Sequence, residues 1–550
     1  MVRAGLAGSA LALPTGTSSG LVPGVLDTRA TAASSPLRSD PFTLGVASGD
    51  PLPDGFVIWT RLAPDALADD GLGGMPSRRH EVRWQVAGDP RFRRIVGSGS
   101  VTAGPESAHA VHVELDGLRA GREYWYRFRV GQWLSPVGRA VTAPAHDAMP
   151  SSLTMAFASC SQFEHGWFTA YRRLAEDRPD LVLHLGDYQY EYRADTYVAP
   201  GGNVRDHRGP ETESLAGYRQ RHAQYKSDPD LQAAHAAAPW LVVWDDHEVD
   251  NNWADEVHEK PHLPQPDFLD RRAAAFRAFY ENMPLRRSSV PDGIDMQLYR
   301  RIRWGQLAGF HMLDTRQYRD DQACGDGYQD CADAADPART LTGAEQERWL
   351  LDGFRTSTQR WDLLGQQVFF SRRDADASEE VTRVSMDAWD GYQASRRRVT
   401  QGWVEAGVRN PVVLTGDVHA HWASDITADF DDPDAPVVGS ELVCSSITSG
   451  GDGYDDPDGA HPWAAHNPNL RFWTNLRGYV RTTITPDELR ADFRCVPRVS
   501  TEGAEAFTRA SFVIEDRVRG MNQVSAARRS LRAPKRTKEK IVRDTLRAER

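Results

Sequence analysis

From about residue 152 the chain repeats short, continuous apolar runs, most of them ending in polar residues. They read LTMAFAS, PDLVLHLGD, PWLVVWDD, GQLAGFHMLD, WDLLGQQVFF, PVVLTGD and ELVCSSITSGG, and helical segments such as GWFTAYRRLAED lie between some of them. A strand that faces water on one side alternates apolar and polar residues. A strand without alternation is covered on both faces. The pattern therefore predicts an α/β domain over about 152–515, with helices outside its sheets and a site at the strand ends.

Several of those ends carry chemistry. They hold Cys160, then Asp187 and Tyr190 in GDYQYEY, then DDHEVDNNW from Asp245, then GDVHAHW from Gly416. Singly each has a plain structural reading. An aspartate after a strand is more often a cap or turn than a ligand, a histidine such as His419 is more often a bonded core residue, and Tyr190 alone reads as packing. Together they do not. Burying that many carboxylates without a cation costs several kcal/mol each, on the order of magnitude of an unpaired buried charge.

The set GDYQY, WDDHEVDNN and GDVHAH resembles the PhoD-type alkaline phosphatase/phosphodiesterase family of the calcineurin-like metallophosphoesterases. The likeness covers most of the chain and implies a four-layer phosphoesterase sandwich preceded by a small all-β domain. The superfamily's usual Asp-x-His stands here as SCSQ, its Gly-Asn-His-Glu/Asp as DDHE, and its Gly-His-x-His as GDVH. The resemblance implies that Asp187 bridges two metals. Cys160, Tyr190 and His419 would complete a site of thiolate, phenolate, carboxylate and imidazole, a donor set for Fe³⁺. Asp246 and Asp417 replace neutral ligands with hard oxygen, which suits Ca²⁺. One iron with one or two calcium ions is the expected cofactor set. His247 occupies the superfamily's catalytic position and would protonate the leaving group, the alternative being that it only braces Asp246.

Other candidates stay open at this level. Asp250, Asn251 and Asn252 read as supporting groups or as ligands of a further calcium. Arg316, in MLDTRQYR after Asp314, reads as a phosphate contact or a structural ion pair. His421 has no fixed role, and Tyr188 and Tyr192 read as packing. The implied reaction is hydrolysis of phosphate monoesters or diesters at alkaline pH by a metal-activated water. A phospholipase D-type diesterase acting on lipid or cell-wall polymer is the alternative, and a non-catalytic surface-binding module is the reading from another class.

Before residue 152 the grammar differs. FVIWTRLA, EVRWQVAGD, AVHVELDGL and REYWYRFRVG alternate apolar and polar residues between turn residues, so 41–143 reads as an immunoglobulin- or fibronectin-like β-sandwich whose late-strand tyrosine ties down a corner. Residues 1–40 read as a leader or the remains of an export signal, which with the family implies a secreted or cell-envelope protein. The formal charge of −12 argues against nucleic acid as partner, yet residues 517–550 hold twelve basic and three acidic residues, about +9, leaving the remainder near −21. That basic extension, 516–550, reads as a solvated tail, an anchor for anionic surfaces or a lid over the site. Of five cysteines, Cys324 and Cys331 in CGDGYQDC look like a local disulfide, which requires an oxidising compartment. Cys444 and Cys495 are a further candidate pair. No later run is long enough to span a membrane, and a phosphate-ester-hydrolysing monomer is expected.

Overall fold

A computed structural model describes residues 37–378, 380–456, 458–527 and 536–548. Almost all of the expected leader, and part of the basic extension, lie outside these residues. The unit Ser39–Arg550 is built on two large sheets. At the middle of the first, strands Leu153–Ala158, Leu181–Leu185, Pro239–Val243 and Val46–Leu52 run parallel. Antiparallel strands extend it on both sides, from Gly478–Ile484 on one and Gly55–Arg61 on the other, to ten strands in all. In the second, of seven strands, Ala308–Met312, Trp361–Gly365, Pro411–Thr415 and Val437–Val443 are parallel.

The unalternating strands now have their reason. Leu363 and Leu414 point into a core shared with Phe157 and Leu183 of the first sheet, whereas their neighbours Leu364 and Val413 point outward under Phe354 and Trp403 of the helices Gly343–Thr356 and Gln393–Glu405. On the far side, the helices Thr169–Glu176, Leu215–Lys226, Pro229–Ala237 and Phe268–Asn282 cover the first sheet with Tyr171, Tyr225, Leu231 and Phe276. Helix, sheet, sheet and helix give four layers, and the parallel strands are buried on both faces.

The N-terminal strands divide between two sheets. His80–Ala87, Ile95–Ala103, Glu123–Val130, Trp133–Leu134 and Gly138–Val141 form a five-stranded antiparallel sheet, in which Tyr124 Oη accepts from the Arg119 amide at 2.9 Å, the corner tie expected of such a strand. Val46–Leu52, Gly55–Arg61 and Ala110–Glu114 instead complete the edge of the ten-stranded sheet, with Ser48 opposite Pro239 and Gly49 opposite Trp240. Gly49 suits that pairing, because a Cβ there would lie 2.9 Å from the Trp240 carbonyl oxygen of the partner strand and 2.4 Å from that of Pro284.

Cys324 and Cys331 are bonded as a disulfide. Cys444 and Cys495 are free and buried. Cys444 follows a strand of the seven-stranded sheet and lies 3.4 Å from Ser159 Oγ, while Cys495 ends a strand of the ten-stranded sheet, so their positions do not bring them into a bond.

Candidate metal centre

The site lies where the two sets of parallel strands end. Each strand turns sharply there. Cys160, Asp187, Asp417 and His419, all with side chains, sit at φ between +49° and +62°, a left-handed conformation that costs roughly 1–3 kcal/mol per residue and gathers at functional sites. The turns also pack too closely for ordinary residues. A Cβ on Gly186 would fall 2.3 Å from Asp245 Cβ, and one on Gly416 would fall 2.8 Å from the Ser159 side chain. Two glycines thus let the strand ends crowd their polar groups together.

Cys160, Asp187 and His419 each offer a ligand atom within 4.8 Å of the others, and Asp187 belongs also to a second such group with Asp246 and His247. Tyr190 joins the first: its hydroxyl donates to Asp187 Oδ2 at 2.9 Å and lies 3.2 Å from His419 Nε2. Asp245, Asp246 and Asp417 make a third cluster sharing Asp246 with the second. Asp187 is thus common to two adjoining groups, one with the Cys160 sulfur, the Tyr190 phenol and the His419 imidazole, the other with the Asp246 carboxylate and the His247 imidazole, and Asp246 leads on to the carboxylates of Asp245 and Asp417.

The electrostatics of this centre call for cations. Burial, then the Asp187 and Asp417 carboxylates, pushes the Cys160 thiol well above its ordinary value. Burial, then neighbouring carboxylates, likewise raises Asp417 well above the usual range, and Asp187 follows against the pull of His247. Asp187 Oδ1, Asp246 Oδ1 and His419 Nδ1 are buried without a hydrogen-bond partner. Buried groups of this kind fit metal ions and are costly without them, the Asp246 oxygen least so because Arg316 stands 3.6 Å away.

The surroundings brace these groups. Arg316 is wholly buried and fully occupied: its Nε donates to Asp245 at 2.5 Å, and its two terminal nitrogens grip Asp387 at 2.8 and 2.9 Å. Of its two sequence readings, the geometry matches the ion pair, because no face of the guanidinium is left for phosphate. His421 accepts the Ser445 amide through Nδ1 and packs edge-on against Phe493, one strand away from the recess. Asp250 pairs with Arg271 at 3.0 Å. The Asn252 amide donates to Asp246 Oδ2 at 2.8 Å, and its side chain donates to Asp326 at 2.6 Å, inside the disulfide-closed loop.

Two groups had no mark in the sequence reading. Asp387 follows the two-residue strand Val384–Ser385 rather than a long apolar run, yet it lines the recess with Asp187, Asp246, Asp417 and His419. Glu191 stands inside the GDYQYEY stretch itself. Its carboxylate holds His247 Nδ1 at 2.8 Å and accepts the Asn251 amide at 3.0 Å, leaving Nε2 as the imidazole nitrogen available to the recess. The packing reading fits Tyr188 but not Tyr192. Tyr188 is core and bonds His235, whereas Tyr192 lies edge-on to His247.

The basic extension returns to the site. Its helix Lys538–Ala548 is anchored by buried Ile541 and by the Thr545–His461 hydrogen bond, and Ala548 lines the recess over Asp187 and His247. Beside that recess a cleft of about 530 Å³ is lined by Arg477, Arg536, Lys540, Arg543 and Arg547. His419 borders both.

Comparison with known proteins agrees with this picture. Residues 155–493 match the model of the PhoD-like phosphatase family, and residues 28–144 match its N-terminal domain. Alkaline phosphatase D of Bacillus subtilis (strain 168) is 51% identical over 489 residues, covering 89% of this chain and 83% of that protein. A solved structure titled Structure of PhoD, also 51% identical, superposes with a TM-score of 0.86 over 89% of this chain and 93% of the other.

Proposed function

The chain belongs to the PhoD-like phosphatase family and is a phosphoesterase, and on that premise we propose which residues perform the hydrolysis and with which ions. Cys160, Asp187, Tyr190 and His419 would hold Fe³⁺. Asp246 and Asp417, with Asp187 shared between the two sites and Asp387 and Asn252 beside them, would hold Ca²⁺. The observation that carries this reading is the division of the groups around Asp187, with thiol, phenol and the His419 imidazole on one side and, on the other, Asp246 beside His247, joined through Asp246 to Asp417. When bound, two such cations supply a nucleophile from water near neutral pH and neutralise the phosphoryl charge.

The chain's own residues do the rest. Asp187 fixes the spacing of the two sites. Glu191 orients His247 so that Nε2 presents a proton to the leaving oxygen. Arg316 holds Asp245 and Asp387 in place, which keeps the carboxylate wall from spreading under its own repulsion. The family assignment sets aside the reading of the chain as a non-catalytic surface module.

A phosphodiester is the favoured substrate. The cleft next to the recess gives a second substituent an open path in which five basic residues outnumber Asp452 and Asp544, which a simple monoester does not need. The Cys324–Cys331 bond supports a secreted or cell-envelope setting. Rates for a nitrophenyl diester and the matching monoester, with choline release from a phospholipid alongside, distinguish the substrates. Asp187→Asn tests the mechanism: loss of bound metal together with hydrolysis is expected, and full hydrolysis by that variant would overturn the assignment.

A further inference from the structure

The run ELVCSSITSGG carries, near its end, a serine to which the hydrolysis assigned above gives no task. Ser449 is wholly buried, follows the strand Val437–Val443 of the seven-stranded sheet and reaches across to the Cys160 end of the ten-stranded one. Its Oγ has three polar neighbours. It accepts the Gln162 amide at 3.1 Å, and it faces two acceptors, the Cys160 carbonyl at 2.9 Å and the Tyr190 phenol oxygen at 2.7 Å. One hydroxyl proton stands between those two.

The Cys160 carbonyl does not depend on it. Backbone amides of Thr448 and Ser449 also reach that carbonyl, at 3.4 and 3.3 Å. The Tyr190 oxygen is placed differently. Beside Ser449 Oγ it meets Asp187 Oδ2 at 2.9 Å and His419 Nε2 at 3.2 Å. On the proposed ligand set, on which this inference rests, Asp187 and His419 turn to the cation when it is bound, and the phenol gives up its proton. A phenolate accepts hydrogen bonds and cannot donate them. Ser449 is then left as its donor, and a bond to a charged oxygen is roughly twice as strong as one to a neutral carbonyl. The Gln162 amide, donating into the same Oγ, strengthens that bond again, because hydrogen bonds in a chain polarise one another.

We infer that Ser449 is a positioning residue that donates to the Tyr190 oxygen and moderates its strength as a metal donor. Partners of this kind orient a ligand and tune the ion it holds. The bond draws electron density from the phenolate, so a cation on that side stays more electrophilic than a thiolate, a phenolate and a carboxylate would otherwise leave it. A serine that only closed the turn at Cys160 would have no such effect.

The test compares the full-length, metal-loaded chain with S449A, which removes one oxygen from the site and adds nothing to it. Iron content, the visible spectrum and the resonance Raman spectrum excited in the visible band are recorded on the same samples, in H₂O and in D₂O. S449A should keep its iron, and its phenolate-to-metal band should move to longer wavelength, since a phenolate without that donor holds its electrons less tightly. The phenolate C–O stretch should respond to D₂O in the parent and lose that response in S449A. An iron-loaded S449A with an unmoved band overturns the inference and leaves the assignment of Tyr190 standing. If S449A does not retain iron, the parent decides: a C–O stretch indifferent to D₂O overturns the inference, and a responsive one supports it. A parent with no iron and no such band overturns the inference together with the ligand set on which it rests.

Discussion

Replacing Glu191 with glutamine removes one charge from beneath His247 and keeps the shape. Both side chains are almost fully buried, at 1% and 8% exposure, and are 2.8 Å apart. Glutamine can still accept from Nδ1, so the orientation of the ring survives, and what is lost is the charge assistance to an imidazole that must hold a proton. A hydrogen bond to a charged partner is worth about 1.5–3 kcal/mol against about 1 for a neutral one, so the difference of about 0.5–2 kcal/mol predicts roughly a 2- to 30-fold fall in kcat/KM. The fall should depend on the leaving group. An alkyl diester needs its departing oxygen protonated and should show the whole loss, whereas a nitrophenyl ester leaves as a stable anion and should lose less than about threefold. Steady-state kinetics of the variant on the two esters, with metal content checked on the same samples, decide the matter. Equal losses on both would refute the reasoning, because they would mean that Glu191 acts on the carboxylate wall or on folding rather than on a proton held by His247.

Other perturbations have defined outcomes. Gly186→Ala forces a Cβ to within 2.3 Å of Asp245 at a φ of +108°, and urea unfolding should show a loss of about 2–5 kcal/mol together with weakened metal retention. Converting Cys324 and Cys331 to serine opens a short loop, and chain entropy predicts a loss of about 2–3 kcal/mol in chemical denaturation, with a lower rate because Asp326 no longer holds Asn252 firmly. Asp516 receives three hydrogen bonds from Arg409 and Asn410, and the Arg409 bonds, foremost among the causes, hold its carboxyl well below the usual range. A depressed folded value adds stability above the unfolded value, near pH 4, that is lost as pH falls. Asp516→Asn should therefore unfold at lower urea than the parent at pH 7, and the gap should narrow on acidification below about pH 4.

How far the sequence could be read depended on what kind of neighbour each residue needed. Cys160, Asp187, Asp417 and His419 were visible because each stands at the end of an unalternating apolar run, and the covering of both strand faces follows from that composition alone. Asp387 was not visible, since it follows a two-residue strand and its role comes from Arg316, a partner 71 positions away. Glu191 lay in plain sight, but assigning its face required an extended chain, and the backbone after Asp187 turns instead. The same limit applies to the N-terminal strands. Their alternation announced a sheet, while the choice of Pro239–Val243 as partner depends on a close approach at Gly49 that no local pattern records. Arg316 and Cys444 show the converse: residue type suggested a ligand or a bond, and position gave each a different neighbour.

The division of ligands around Asp187 is most directly tested by elemental analysis of the purified full-length chain, with a visible spectrum of the same sample and of Tyr190→Phe. Iron at about one per chain with calcium beside it, and a visible charge-transfer band that weakens or shifts in Tyr190→Phe, is the result expected. Zinc or manganese in a colourless protein, with a spectrum that Tyr190→Phe leaves unaltered, would contradict the assignment of Cys160 and Tyr190 to an iron site.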